Sequence, residues 1–264
     1  MKPLSLWRYR DAALSLTWLN LRLRYNHTLL GAAWSLVNPL FFMAIFTFVF
    51  THLLPSDIPN YPIFILSALL AWNYFQAALM NMCISITEGR SLITKIAFPR
   101  AILPLSALLT ELVTFLLALG VFLGILLLLR YDLGTGIFAL PLLVMLLSLI
   151  AAGMGLILAA LNVRLRDTQA FLGVFLFGWF FMTPILYTLD QIPLDRLILG
   201  MPARSLIQVI NPLSAIISAF RQAIYEARFP DSELLLISAL AALIALANGA
   251  FAFSRTSRSF AERL

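Results

Sequence analysis

Apolar residues in this chain fall in long runs of about 20, the length an α-helix needs to cross a hydrocarbon core about 30 Å thick. Six spans are predicted: Ala33–Leu54, Ile63–Ile86, Ile102–Leu129, Ile137–Leu161, Phe171–Leu189 and Leu234–Phe253. The polar breaks between them are short except the last, which runs from Asp190 to Glu233 and carries Pro193, Pro202, Pro212 and Pro230. A connection that long needs a structure of its own. Within it Asn211 is placed to cap a helix with Pro212 in the first turn, and Leu213, Ile216, Ile217, Phe220 and Ile224 recur at helical spacing. That helix is too short to span. It is expected on the outer surface or, the preferred reading, in a re-entrant hairpin, which is tolerated where protein or a water-filled cavity shields its backbone. Ahead of the first span, Leu14, Trp18, Leu21 and Tyr25 share a helical face, with Asp11, Ser15 and Arg22 elsewhere around the wheel. This predicts an amphipathic helix in the membrane interface. The alternation from Leu19 to Tyr25 also suits a strand, but a lone strand there leaves its backbone groups unpaired.

The expected fold class is all-α integral membrane, with six transmembrane helices, an amphipathic N-terminal interface helix and outer re-entrant helices before the last span. As one transmembrane domain over 1–264, it divides into a cytoplasmic amphipathic region (1–32), spans one to five (33–189), an outer re-entrant region (190–233), span six (234–253) and a cytoplasmic tail (254–264). Composition agrees: 62% of residues are apolar and 11% charged, against about half and a quarter in soluble domains. Of the Lys and Arg residues, thirteen fall in segments sharing a side with both termini and five on the other. The positive-inside rule therefore predicts cytoplasmic termini in an inner (plasma) membrane protein, and the net charge of +6 is no nucleic-acid footprint. Charged and aromatic residues up to Tyr25 are unlike a cleaved leader, so the first span is expected to be retained. The single cysteine, Cys83, lies in an apolar run and rules out an intrachain disulfide framework.

Candidate chemistry is sparse. The chain has no phosphate-binding G-x-x-x-x-G-K-[ST], no H-E-x-x-H and no G-x-S-x-G, and His27 and His52 sit at opposite ends of one span. It is expected not to be an enzyme by itself, to bind no cofactor or metal, and to take energy for transport from a gradient or a partner. Glu111, beside Thr110 in the third span, is the one ionisable group near a midplane. Its ordinary role is a hydrogen bond to a neighbouring helix, the alternative a part in transport. The segment Glu88–Arg100 is expected to form a short docking helix, with Leu92, Ile93, Ile96 and Phe98 filling a groove on a soluble partner and Arg90, Lys95 and Arg100 setting orientation. Aromatics concentrate in spans one and five, including Trp34, Phe42 and Phe46 in one and Phe175, Trp179 and Tyr187 in the other. They face lipid by default, but such rings also stack on the C–H faces of sugars. Pro39 and Pro184 are expected to bend these spans. Gly120-x-x-x-Gly124 and Gly155-x-x-x-Ala159 permit close helix approach.

Three blocks then carry a family resemblance. Arg22–Tyr25 followed by Leu30–Leu40, Lys95–Leu105, and Asn162–Asp167 with Trp179–Tyr187 occur in the order found in polysaccharide-exporting ABC transporter permeases of the Wzm-like and teichoic-acid type, and Asn211-Pro212-Leu213 is similar to that family's last outer helix. The resemblance runs from about residue 20 to 230; His27 and Ala32-Ala33 depart from the common pattern. It implies a homodimeric channel for lipid-linked polysaccharide (O-antigen, capsule or teichoic acid), flanked by membrane lipids and driven by two separate ATPase subunits that hold ATP and Mg. Arg90, Ile93, Lys95, Phe98 and Arg100 would then be ATPase-coupling residues, and Trp34, Phe42, Phe46, Phe175, Trp179 and Tyr187 substrate-channel residues. Rival readings are a related ABC exporter of drugs or small amphiphiles and an ion-coupled secondary carrier.

Overall fold

The computed structural model describes residues 9–25, 37, 40, 41, 44, 45, 48–53, 58–90, 92, 99–189, 197–198, 201–202, 207 and 211–257. Half of the first expected span lies outside the described residues, while Val37, Leu40, Phe41, Ala44, Ile45 and Phe48 have helical backbone and lead into a π-helical turn at Val49–Leu53. The other helices described are α1 (Arg10–Tyr25), α2 (Tyr61–Glu88), α3 (Ile102–Leu128), α4 (Leu140–Arg164), α5 (Thr168–Met182), α6 (Pro212–Ile224) and α7 (Ser232–Thr256). A 3-10 turn at Gly136–Ala139 feeds α4, and β1 (Leu197–Ile198) pairs antiparallel with β2 (Met201–Pro202), Ile198 opposite Met201.

Length and apolarity let α2, α3, α7 and the continuous segment Gly136–Arg164 cross a membrane. The expected fifth span is shorter than its apolar run: α5 stops at Met182 and Thr183 turns extended (φ −93, ψ 137). Pro184 causes this, because its ring excludes the helical region for the residue before it. The proline ends the helix rather than bending it.

The bundle is built around α2, whose Phe64, Ile65, Phe75, Ala78, Leu79 and Met82 are fully enclosed. It packs on α3, α4, α5 and α6. The tightest crossing joins α4 to α7, where a Cβ on Gly249 would lie 2.1 Å from the Gly153 carbonyl oxygen and one on Gly153 would lie 2.2 Å from the Ala245 backbone. Gly155 instead receives Met82 of α2. Gly120 and Gly124, read from the sequence as a close-approach pair, meet no atom within 4 Å, so that motif is unused within the protomer. Gly249→Leu is expected to destabilise the protein by at least about 3 kcal/mol, because the added side chain meets backbone that cannot rotate away. Thermal unfolding in detergent, compared with a control Gly124→Leu that should shift little, checks this.

The sequence-predicted cap of α6 is present, the Asn211 side-chain oxygen accepting from the Leu213 N–H at 3.0 Å. Only Pro212 and Ser218 of this helix are less than fully buried. An outer-surface helix would expose one face, and this one is covered on all sides by α2, α4, α7 and the 3-10 turn.

Of the predicted stripe on α1, Leu14 and Trp18 are exposed and Leu21 is partly covered. Thr17 is the buried residue of this helix, with Ala13, Leu16 and Asn20 also partly covered and Leu23 also exposed. The protein holds the more polar side, which leaves the apolar side open, as suits a helix against lipid.

Candidate functional site

Among the described residues, two clusters of buried polar side chains are held by hydrogen bonds between helices, one toward each end of the bundle. The first is centred on Glu111. Nine residues past the start of α3, it lies about 14 Å along that helix, and its side chain is 4% exposed. A carboxylate there must be paired. Arg24 of α1 supplies a two-pronged contact, Nη1 donating to Oε2 at 3.0 Å and Nη2 donating to Oε1, and Asn81 of α2 donates from Nδ2 to Oε1 at 2.8 Å. Three helices thus meet on one carboxylate, in the fork geometry that makes Arg–carboxylate pairs strong and directional. The Thr17 hydroxyl donates to Ala13 O and, at 3.4 Å, to Ser106 O of α3. The contacts Thr17 to Ser106 and Arg24 to Glu111 fix α1 alongside α3, running in the same sense. A cavity of about 310 Å³ opens beside this clasp, lined by Leu16, Asn20 and Leu23 of α1, Ser85 and Glu88 of α2 and Thr110 of α3.

The second group sits where α5 ends. Asn211 Nδ2 donates to Met182 O (3.2 Å) and Thr183 Oγ1 (2.9 Å), while its Oδ1, already capping α6, also accepts from Trp179 Nε1 (2.9 Å). At the other end of α6, Arg221 is 4% exposed. Its Nη2 donates to Pro184 O (2.7 Å) and Ile185 O (3.0 Å), its Nη1 to Tyr187 O (3.2 Å), and its guanidinium lies 3.9 Å from the Phe64 ring centroid. The carbonyls released when Pro184 breaks α5 are thus taken up by both ends of α6. Tyr61 OH donates to Leu186 O, Tyr131 OH to Tyr225 O and Tyr225 OH to Pro59 O, joining the loops at this end. Gly134, at φ +48, is in contact with Ala227 O, an approach and a backbone angle that suit only glycine.

At the same end Asp231 accepts from Arg228 Nη1 (2.7 Å) and Gln222 Nε2 (2.6 Å). These hydrogen bonds, Arg228 first, hold the Asp231 carboxyl below its ordinary range. Because the folded-state pKa is depressed, the stabilisation is present above the unfolded value and lost as pH falls through the folded one. Hydrogen exchange over 225–231 should quicken in wild type below about pH 4, and Asp231→Asn should abolish that dependence.

The sequence-predicted residues distribute as follows. Trp34, Phe42, Phe46, Ile93, Lys95 and Phe98 lie outside the described residues. Arg90 is exposed, and Arg100 donates to the Ser257 carbonyl at the end of α7, so it ties the last helix down. Phe175 is 47% exposed, stacked on Phe171. Tyr187 is half-buried, its hydroxyl 3.4 Å from Met182 O. Trp179 is 8% exposed and faces inward, bonded to Asn211, so within the protomer it supports α5 and presents no lining surface. The sequence reading missed Arg24, Arg221 and Asn81 as partners. The available signal was Glu111 itself, since a carboxylate within a span requires a cation.

Around α5 the exposed large apolar side chains are Phe171, Val174, Phe175, Phe177, Phe181 and Met182, while Leu172, Leu176 and Trp179 form the narrow buried stripe. Apart from Arg10, Arg22 and Arg24 of α1, the described arginines divide between the ends. Arg90, Arg100, Arg164, Arg166 and Arg255 flank the α2–α3 and α4–α5 connections and the end of α7, and Arg130, Arg221 and Arg228 lie at the other end.

Comparison with known proteins gives this arrangement a family. Residues 12–225 match the model of the ABC-2 type transporter membrane domain. The O-antigen export system permease protein RfbA of Myxococcus xanthus is 31% identical over 98% of this chain and 97% of its own length. A protein of the same name from Klebsiella pneumoniae is 29% identical over 96% and 95% of the two chains, and a second from that organism is 30% identical over 80% and 79%. The multi-pass helical bundle, matched along most of its length, belongs to the ABC-2 type transporter family.

Proposed function

We propose that this chain is the channel-forming permease subunit of an ATP-driven exporter of lipid-linked polysaccharide. The observation that carries the proposal is its end-to-end likeness to permeases named for O-antigen export. In this reading two copies, each with six spans, form the channel in the inner (plasma) membrane with both termini cytoplasmic. Two ATPase subunits holding ATP and Mg dock beneath them, against the Arg90–Arg100 segment and α1. The lack of any phosphate-binding loop in the chain fits a motor carried by another polypeptide. The division of cations between the bundle ends supports the orientation. Enclosure of α6 on all sides supports a re-entrant helix, because protein shields its backbone from lipid. In this reading the chain divides into an amphipathic region to 32, spans one to five to 189, a re-entrant region to 233, the last span to 253 and a cytoplasmic tail.

The uncovered rings of α5 support a conduit for glycan, with Phe175 and Tyr187 from this region joined by Trp34, Phe42 and Phe46 of the first span. Flat aromatic surfaces pass sugars by stacking on their apolar faces without a deep binding minimum. Capture of Glu111 by Arg24 and Asn81 counts against a proton-coupled carrier.

The test is purification in mild detergent followed by reconstitution. An ATPase should copurify in equal amount, and vesicles should take up lipid-linked polysaccharide only with ATP. Replacing Phe42, Phe46, Phe175 and Tyr187 by alanine should cut that flux about tenfold, a loss of roughly 1.4 kcal/mol. Transport driven by a proton gradient alone would overturn the proposal, and transport of small amphiphiles in place of glycan would replace its substrate.

A further inference from the structure

The clasp between α1 and α3 does more than satisfy a buried charge. We infer that Arg24, Glu111 and Asn81 form the mechanical link through which displacement of α1 is passed to α3 and α2, Arg24 and Glu111 being positioning residues of the transport cycle. The inference rests on the proposed function, in which α1 meets the ATPase on the cytoplasmic side.

Packing on its own fixes α1 poorly. Its exposed side carries Leu14, Trp18 and Leu23, and of the other helices α3 is its principal neighbour. Beside their contact lies the cavity of about 310 Å³, so apolar side chains do not fill the seam. Two polar ties join α1 to α3 among the described residues, Thr17 to Ser106 at 3.4 Å and the charge-assisted Arg24–Glu111 fork. The fork holds α1 at its C-terminal turn, where a push on the rest of the helix acts with the longest lever. From Glu111 the same carboxylate reaches Asn81, so α2, the core of the bundle, moves with α3. A link of this kind is stiff because a fork fixes orientation as well as distance.

An ion pair kept only for folding can be exchanged for apolar residues of similar size with little loss, whereas one kept for transmission cannot. Arg24→Met/Glu111→Leu is therefore the diagnostic variant, and the reversed pair Arg24→Glu/Glu111→Arg its control. In the reversed pair the Asn81 amide can turn its oxygen to the guanidinium. Spin labels at Trp18→Cys on α1 and Leu128→Cys at the far end of α3 report their separation; native Cys83 is fully buried and stays unlabelled. The complex with its ATPase is examined before and after trapping with ATP and vanadate, with labelled protomers diluted in unlabelled ones.

In wild type the separation should stay constant on trapping. In Arg24→Met/Glu111→Leu it should change, with lipid-linked O-polysaccharide exported per ATP hydrolysed falling about fivefold or more at normal assembly. The reversed pair should return both values toward wild type. Constant separation with undiminished export per ATP in the apolar pair would overturn the inference and leave the exporter reading standing. Wild-type complex that exports no polysaccharide with ATP would overturn both.

Discussion

Arg221→Met is expected to lower the unfolding midpoint of the detergent-solubilised protein by about 6–12 °C, corresponding to about 3 kcal/mol in a chain of this size class. Two effects compete. Removing a buried cation relieves its desolvation, a gain in many proteins. Here the guanidinium also satisfies three carbonyls, Pro184 O, Ile185 O and Tyr187 O, and those acceptors have no alternative helix to join because Pro184 has ended α5. The loss of three charge-assisted hydrogen bonds wins, since each is worth about 1.5–3 kcal/mol and the orphaned groups stay enclosed. The carbonyl dipoles at the end of α5 add a field that favours the cation. Arg221→Lys should recover less than half, because a compact ammonium cannot reach three acceptors and cover the Phe64 ring together. Nearly unchanged unfolding in Arg221→Met would show that the loop at 184–187 finds other donors.

The two halves of the inner clasp should respond unequally. Arg24→Met leaves Glu111, 4% exposed, with only the Asn81 amide, and should cost about 3–5 kcal/mol. Glu111→Leu leaves Arg24, whose side chain is 36% exposed and long enough to turn its head toward water or lipid headgroups, and should cost only about 1 kcal/mol. The double change should be near neutral, so the single costs are strongly non-additive. Midpoints for the four proteins of this cycle check it. Equal losses from both single changes would mean that Arg24 is confined more than its exposure indicates.

The sequence read well wherever the membrane was the constraint. The runs giving α2, α3, α4 and α7 were legible because lipid demands uninterrupted apolar helix, and their ends fell within a few residues of those expected. The helix α6 was legible from chemistry alone, an asparagine cap before proline and five apolar residues at helical spacing. The clasp was not. Arg24 and Glu111 lie 87 positions apart, and in sequence Arg24 looked like one more positive-inside charge. Close approach was misplaced for a related reason. Gly153 and Gly249 lie on different helices, so no spacing rule joins them, while the local pattern at Gly120 and Gly124 meets no neighbour in the protomer. Likewise Pro184 was visible, but whether a proline bends or ends a helix depends on what receives the freed carbonyls, and Arg221 was not recognisable as their recipient.

Burial of α6 has a consequence for biogenesis. Its walls include α7, which is synthesised after it and is itself locked against α4 through Gly153 and Gly249. A nascent chain halted before Ser232 therefore holds α6 with one wall missing, and Arg221 with its carbonyl partners less shielded. Closure around α6 therefore waits on α7, so chains truncated before Ser232 should be cleared by membrane proteases faster than the intact protein.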